Sequence, residues 1–166
     1  MSERVCICPG SFDPVTVGHL DIIRRAAALF DRVIVVVLHN PAKRGFFTVE
    51  QRIRLLRAAC ASLPQVTVDA SDGMTVDYAR AHHADAMVRG LRSVGDFESE
   101  SVLAQWNRRL APETETLFMV SAPEHTLLSS SAVRELMSFG GPWQSCLPEA
   151  AVPLAEAFLR ARADGQ

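Results

Sequence analysis

Val33-Ile34-Val35-Val36-Val37-Leu38 is an apolar run with no polar alternation. That is the pattern of a strand covered on both faces, as in a parallel sheet, rather than of a strand with one wet side. Helices must then cover the sheet. Upstream, Leu20, Ile23, Ala27 and Phe30 recur at spacings of three, four and three, which predicts a core-facing helix cut short by Asp31. Before it, Val5-Cys6-Ile7-Cys8 reads as a first strand. Downstream, Thr48 with Gln51 predicts a capping box opening a helix to about Ala61, followed by a short strand from Val66 to Val68. A helix from Val76 to His82 then leads into strand-like Ala86-Met87-Val88. Leu103, Trp106 and Leu110 mark the face of another helix, and Leu117-Phe118-Met119-Val120 reads as a fifth buried strand. Ser129 to Ser131 supply cap residues for a helix to about Ser138, ended by Gly140, Gly141 and Pro142. Pro148 to Arg162 reads as a C-terminal helix, regular from Pro153. Strands alternating with helices predict an α/β three-layer domain with right-handed crossovers, whose ligands bind at the carboxyl ends of the strands.

The 166 residues suffice for a single domain, 1–166, able to bury roughly 70% of the surface of its unfolded chain. With 48% hydrophobic and 22% charged residues the composition is globular, and a net charge of -2 supplies no basic field to hold nucleic acid. The longest apolar run, Val33 to Leu38, falls far short of the roughly twenty residues that span a bilayer, so no membrane segment is expected. Met1 to Arg4 lead straight into the first strand with no signal-peptide core, which reads as cytoplasmic. Cys6, Cys8, Cys60 and Cys146 lack the paired clusters of a structural zinc site and read as buried thiols.

The first strand leads into Pro9-Gly10-Ser11-Phe12-Asp13-Pro14-Val15-Thr16-Val17-Gly18-His19. This is a constrained turn whose N–H groups and helix start suit an anion, with Gly18 leaving room for a phosphate and His19 able to donate to it. By itself the loop is equally a tight strand-to-helix connection with a surface histidine. No G-x-G-x-x-G or Walker A stretch occurs, which leaves dinucleotide dehydrogenases and lysine-cradling NTPases without support. Asn40 to Gly45 put Lys43 and Arg44 on a loop after the second strand, where a solvated charge pair is the ordinary reading. Arg89-Gly90-Leu91-Arg92 follow the fourth strand and offer two guanidinium forks for phosphates. His125 to Ser131 give hydroxyls and N–H groups at another helix start, although each serine alone is a cap. Four phosphate-friendly elements thus fall on one rim, with no activated Ser or Cys nucleophile, which points to direct transfer between phosphates.

These residues, in this order, resemble the T-x-G-H nucleotidyltransferase superfamily and, within it, the phosphopantetheine adenylyltransferase family. The match runs from about Val5 to Pro148 and includes Thr16 to His19, Asn40 to Lys43, Arg89 to Arg92, Asp96 to Glu100 and the serine run with Val133, Arg134 and Glu135. The resemblance implies a Rossmann-like three-layer nucleotidyltransferase fold with a five-stranded parallel sheet and a C-terminal helix. It implies transfer of adenylate from ATP to 4'-phosphopantetheine, giving dephospho-coenzyme A and pyrophosphate, with Mg2+ accompanying ATP and no metal ligands from the protein. Carried over by position, His19, Lys43 and Arg92 are the catalytic residues: His19 stabilises the α-phosphate, Lys43 orients the attacking phosphate, and Arg92 lies along ATP. Ser11, Phe12, Gly90, Leu91, Glu100, His125, Thr126, Leu127, Leu128, Ser129, Ser130 and Ser131 complete the ATP site. Ser11, Lys43, Thr75, Arg89, Leu103 and Asn107 fall on the pantetheine side. A homohexamer and feedback inhibition by coenzyme A are also implied. Ser11 stands where the family commonly has Thr, Ser99 where it has Tyr, Thr75 where it has Leu or Met, and His125 where a larger aromatic is frequent. The alternatives are another small-molecule nucleotidyltransferase, such as one acting on nicotinamide mononucleotide, and a non-catalytic nucleotide-binding protein.

Overall fold

Val33, Val35 and Val37 point into one hydrophobic layer and Ile34 and Val36 into the other, all of them buried. This strand is thus covered on both faces, as its unbroken apolar run requires. The structure, a computed structural model, describes residues 3–164. In chain order the elements are β1 (Val5–Gly10), α1 (Val17–Ala27), β2 (Arg32–Leu38), α2 (Val49–Ala59), β3 (Val66–Ser71), α3 (Thr75–Ala81), β4 (Ala86–Leu91), α4 (Val94–Leu110), β5 (Glu115–Val120), α5 (Ser130–Ser138) and α6 (Val152–Asp164). The five strands form one parallel sheet in the order β3-β2-β1-β4-β5. Leu20, Ile23, Ala26 and Ala27 of α1, Leu55 and Leu56 of α2, Val133 of α5 and Ala155 of α6 fill the larger layer; Val76 and Ala79 of α3 sit in the other. Each fully buried Ile, Val or Leu contributes roughly 1.5–3 kcal/mol.

The sheet winds outward in both directions from β1 and β4, so the topological switch point lies between them. There the two strands part. β4 pairs with β1 only at Cys6↔Ala86 and Ile7↔Met87, but stays in register with β5 through Leu91↔Val120. Past Met87, β4 diverges from β1 and opens a crevice between their carboxyl ends.

Several expectations need correction. Arg89, Gly90 and Leu91 do not follow the fourth strand but form its second half, because pairing with β5 outweighs the weak strand preference of Arg-Gly. α1 ends at Ala27, so Phe30 packs against the core from the connection to β2. β3 continues to Ser71 because β2 pairs along its whole length. β5 is not fully buried: as an edge strand it leaves Leu117 and Val120 exposed. The face of α4 carrying Leu103, Trp106 and Leu110 does form, yet it points to solvent, and α4 buries no residue fully.

Candidate active site

The crevice between β1 and β4 is a cleft of about 360 Å³, closed below by Cys8 to Phe12 and at the sides by the starts of α1 and α5 and by β4. Thr16 caps α1 in a reciprocal box with His19: the Thr16 Oγ1 accepts from the His19 N–H (3.3 Å), and the Thr16 N–H donates to the His19 Nδ1 (3.0 Å). A backbone N–H can only donate, so Nδ1 is the acceptor and the neutral ring carries its proton on Nε2. Phe12, in a left-handed conformation (φ 46), sets its ring edge-on to the imidazole at 5.1 Å. No acidic residue sits in the first turn of α1, leaving the helix start attractive to an anion.

Burial first, then the nearby Arg92 and Arg89, lowers the His19 pKa from 6.5 to about 4. His19 is therefore a neutral donor at physiological pH, not a cation. The folded state binds fewer protons than the unfolded chain between pH 6.5 and about 4, so this residue makes stability fall as pH drops through that window. An NMR titration of the imidazole should give a midpoint near 4 with the Nε2–H tautomer; a midpoint near 6.5 would contradict the half-buried, arginine-flanked setting.

The two guanidiniums are held by carboxylates of α4. Arg89 Nε donates to Glu100 at 2.7 Å, its Nη2 reaches the other oxygen of the same carboxylate, and its Nη1 donates to the Pro9 carbonyl, bridging the gap between β4 and β1. Arg92 donates from its backbone N–H (3.0 Å), Nε (3.1 Å) and Nη2 (3.3 Å) to Asp96, and from Nη1 to the Leu128 carbonyl (2.9 Å). The Asp96 carboxyl pKa is held below its usual value despite the opposing push of desolvation, because Arg92 hydrogen-bonds it and sits close as a positive charge. Across the cleft Ser129 caps α5 by accepting from the Ala132 N–H (3.1 Å), and the Ser130 Oγ donates to the Pro14 carbonyl (2.8 Å). Gly18 lines the cleft, and a Cβ there would lie 3.3 Å from the Cβ of His125. Its lack of a side chain lets the His125 loop approach α1.

Among the residues singled out by sequence, the cleft gathers Ser11, Phe12, His19, Arg89, Gly90, Arg92, Glu100, His125, Leu128, Ser129, Ser130 and Ser131. It does not gather Lys43, which borders a neighbouring cavity of about 470 Å³ with Arg52, Phe46 and Arg162. The four elements therefore do not share one wall. β2 lies on the far side of β1 from the switch point, and its loop enters from there. Leu91 is buried and Leu127 points to solvent at 92% exposure, so neither lines the cleft, nor does Thr126. Thr75 opens α3, and Leu103 and Asn107 lie on α4 beyond the cleft wall. Asp13 and Arg134 stand within quoted motifs but without a role, and Arg52 is not singled out by sequence; all three hold the loops described below, and no local spacing reveals that. Among the described residues no group of three His, Cys, Asp or Glu could hold a metal ion.

A neutral donor, two carboxylate-held guanidiniums and a helix start around one cleft suit a polyphosphate. Comparison with known proteins points the same way. Residues 7–136 match the cytidylyltransferase-like family. The chain is 49% identical over 88% of its length to the phosphopantetheine adenylyltransferase of Caldanaerobacter subterraneus subsp. tengcongensis, covering 91% of that protein. It is 52% identical over 87% of its length to that of Gloeobacter violaceus, of which 90% is covered, and 47% identical over 98% to that of Rubrobacter xylanophilus, of which 99% is covered. A bifunctional NMN adenylyltransferase/ADP ribose pyrophosphatase from Francisella tularensis superposes with a TM-score of 0.72 over 98% of this chain at 17% identity; it shares the fold, and this chain spans 50% of its length. With close relatives matched nearly end to end and the parallel sheet of the superfamily in place, the chain belongs to the phosphopantetheine adenylyltransferase family of cytidylyltransferase-like proteins.

Proposed function

We propose that the protein transfers the adenylyl group of ATP to 4'-phosphopantetheine, giving dephospho-coenzyme A and pyrophosphate. The observation that carries the reading is the switch-point cleft, where the Nε2–H of His19, Arg92 and the start of α5 converge in a chain of this family. An oxygen of the acceptor phosphate attacks the α-phosphorus in line. The new P–O bond forms as the bond to the β-phosphate breaks, and pyrophosphate leaves with the electron pair. The attacking phosphate is already anionic, so alignment and charge stabilisation matter more than a general base. His19 donates from Nε2 to an α-phosphate oxygen as its charge grows. Arg92 lies along the triphosphate, and Lys43 reaches from its loop to the acceptor phosphate. Magnesium would arrive with ATP and supply charge neutralisation on the triphosphate; the cleft carboxylates Asp96 and Glu100 are each paired with an arginine and would not be its principal ligands.

In this reading coenzyme A, which carries both the pantetheine arm and the adenylate, competes for the same cleft as a feedback inhibitor. The exposed Leu103, Trp106 and Leu110 of α4 support a homo-oligomeric interface on that helix, which this reading takes to build a homohexamer. Buried free thiols at Cys6, Cys8 and Cys60 suit the reducing cytoplasm, and no described helix is long and apolar enough to cross a membrane. Incubation with ATP, magnesium and 4'-phosphopantetheine should release pyrophosphate and form dephospho-coenzyme A. Turnover with nicotinamide mononucleotide alone would reassign the acceptor, and ATP binding with no turnover on any acceptor would make this a binding protein.

A further inference from the structure

The segment between β2 and α2, residues 39–48, carries Lys43 but has no regular structure to hold it. It is anchored at its C-terminal end, where Phe47 is buried against Phe158, Arg162 Nη1 donates to the Phe46 carbonyl (3.2 Å), and one buried carboxylate holds the backbone. The Asp13 side chain, 7% exposed, accepts from the Phe46 N–H through Oδ2 and from the Phe47 N–H through Oδ1, both at 2.8 Å. Asp13 belongs to the loop after β1 that lines the cleft through Ser11 and Phe12. That loop is fixed from behind by three donors: Arg52 Nη1 to the Ser11 carbonyl (3.0 Å), Arg134 Nη1 to the Asp13 carbonyl (2.6 Å) and Ser130 Oγ to the Pro14 carbonyl (2.8 Å). Gly45 fits the space between. A Cβ there would lie 2.8 Å from the Phe47 carbonyl oxygen, 3.2 Å from Asp13 Oδ2 and 3.3 Å from Arg52 Nη2. The backbone two residues beyond Lys43 is therefore pressed against the carboxylate that holds it.

We infer that Asp13, with Gly45 packed against it, is a positioning residue: it clamps the Lys43 loop to the nucleotide loop and so fixes the point from which the ammonium reaches the acceptor phosphate. Both oxygens of the clamp are acceptors for N–H donors, which is why a carboxylate suits the position. An amide would turn one NH₂ toward a backbone N–H, breaking one of the two bonds and leaving a buried donor facing a donor. The loop then drifts, and a misplacement on the ångström scale is expensive in a reaction governed by alignment. The nucleotide side is spared, because Arg52, Arg134 and Ser130 hold the β1 loop through its own carbonyls.

This inference rests on the adenylyl-transfer reading, and the experiment separates the two. Asp13→Asn and Gly45→Ala should each lower kcat/KM for 4'-phosphopantetheine by about 10- to 100-fold, while the Kd for ATP changes within about twofold. In a Lys43→Ala background the same substitutions should add little, because the residue they position is gone. Gly45→Ala keeps the buried carboxylate and stands alone if Asp13→Asn fails to fold. Amide exchange at Phe46 and Phe47, measured without substrate, should quicken in both variants. Full additivity with Lys43→Ala, a parallel loss of ATP affinity, or unchanged exchange at Phe46 and Phe47 each overturns the clamp. Absence of turnover in the unmodified protein, with exchange quickened in the variants, overturns the reaction assigned and leaves the clamp standing.

Discussion

His19→Ala lowers kcat for dephospho-coenzyme A formation by about 100-fold or more, the range seen when one preorganised donor to a developing oxyanion is removed. KM for ATP changes far less. The difference arises because the imidazole contributes where charge grows: its Nε2–H meets an α-phosphate oxygen that is more negative in the transition state than in bound ATP, so the interaction strengthens along the reaction. A cation in the same place would hold ground-state ATP strongly as well. In the free protein the depressed pKa, near 4, leaves His19 a neutral donor. The box with Thr16 supports this by fixing the tautomer, since Nδ1 is committed to the Thr16 N–H. His19→Gln, whose amide can still donate, should recover part of the rate. Thr16→Ala should lose about 1 kcal/mol of stability with the cap and a smaller factor in kcat, because the backbone N–H survives the substitution. Steady-state kinetics with an equilibrium ATP titration decide the matter: unchanged kcat in His19→Ala removes the residue from the chemistry.

The start of α1 is legible in the sequence, although the reciprocal box between Thr16 and His19 emerges only from the structure. Thr16, Gly18 and His19 act within a single helical turn, and local spacing shows what such residues do. The same holds for Thr48 with Gln51, for Ser129 at the start of α5, and for β2, whose apolar run declares that both faces are covered. What spacing cannot show is where two strands part. Arg89 to Leu91 look like a loop because Arg and Gly suit strands poorly, yet β5 holds them in register while β1 turns away, and that divergence creates the cleft. Asp13 with Phe46, and Arg52 with Ser11, join positions separated by 33 and 41 residues and follow no period. Lys43 follows a strand onto the shared rim, as its position implies, but β2 lies beyond β1, so its loop borders the neighbouring cavity and not the cleft. The apolar stripe of α4 has the spacing of a core face and is exposed, because periodicity reports that a face is apolar and not what covers it.

Arg89→Met should destabilise the fold by about 2 kcal/mol and raise the Kd for ATP roughly tenfold, both through the carboxylate it leaves behind. Glu100 is only 17% exposed and accepts two bonds from Arg89, whose third reaches the Pro9 carbonyl across the opening between β1 and β4. Losing one member of a buried ion pair costs about 3–5 kcal/mol, and the 27% of the Arg89 side chain that meets water reduces that figure here. The stranded carboxylate also faces the cleft that must accept a triphosphate. Like charges several ångströms apart at an effective dielectric near 20 repel by on the order of 1–3 kcal/mol, which is tenfold or more in Kd. Adding Glu100→Leu removes the uncompensated charge, so the double variant should regain most of the stability and most of the ATP affinity. It should not regain kcat/KM for 4'-phosphopantetheine, because the guanidinium proposed to meet the acceptor is absent from both variants. Thermal melts, ATP titration and acceptor kinetics on the two single variants and the double variant give a complete cycle. If ATP affinity stays low in the double variant, Glu100 contacts the nucleotide itself and is more than the counter-charge of Arg89. If acceptor kinetics return with the stability, Arg89 serves only to brace β4 against β1.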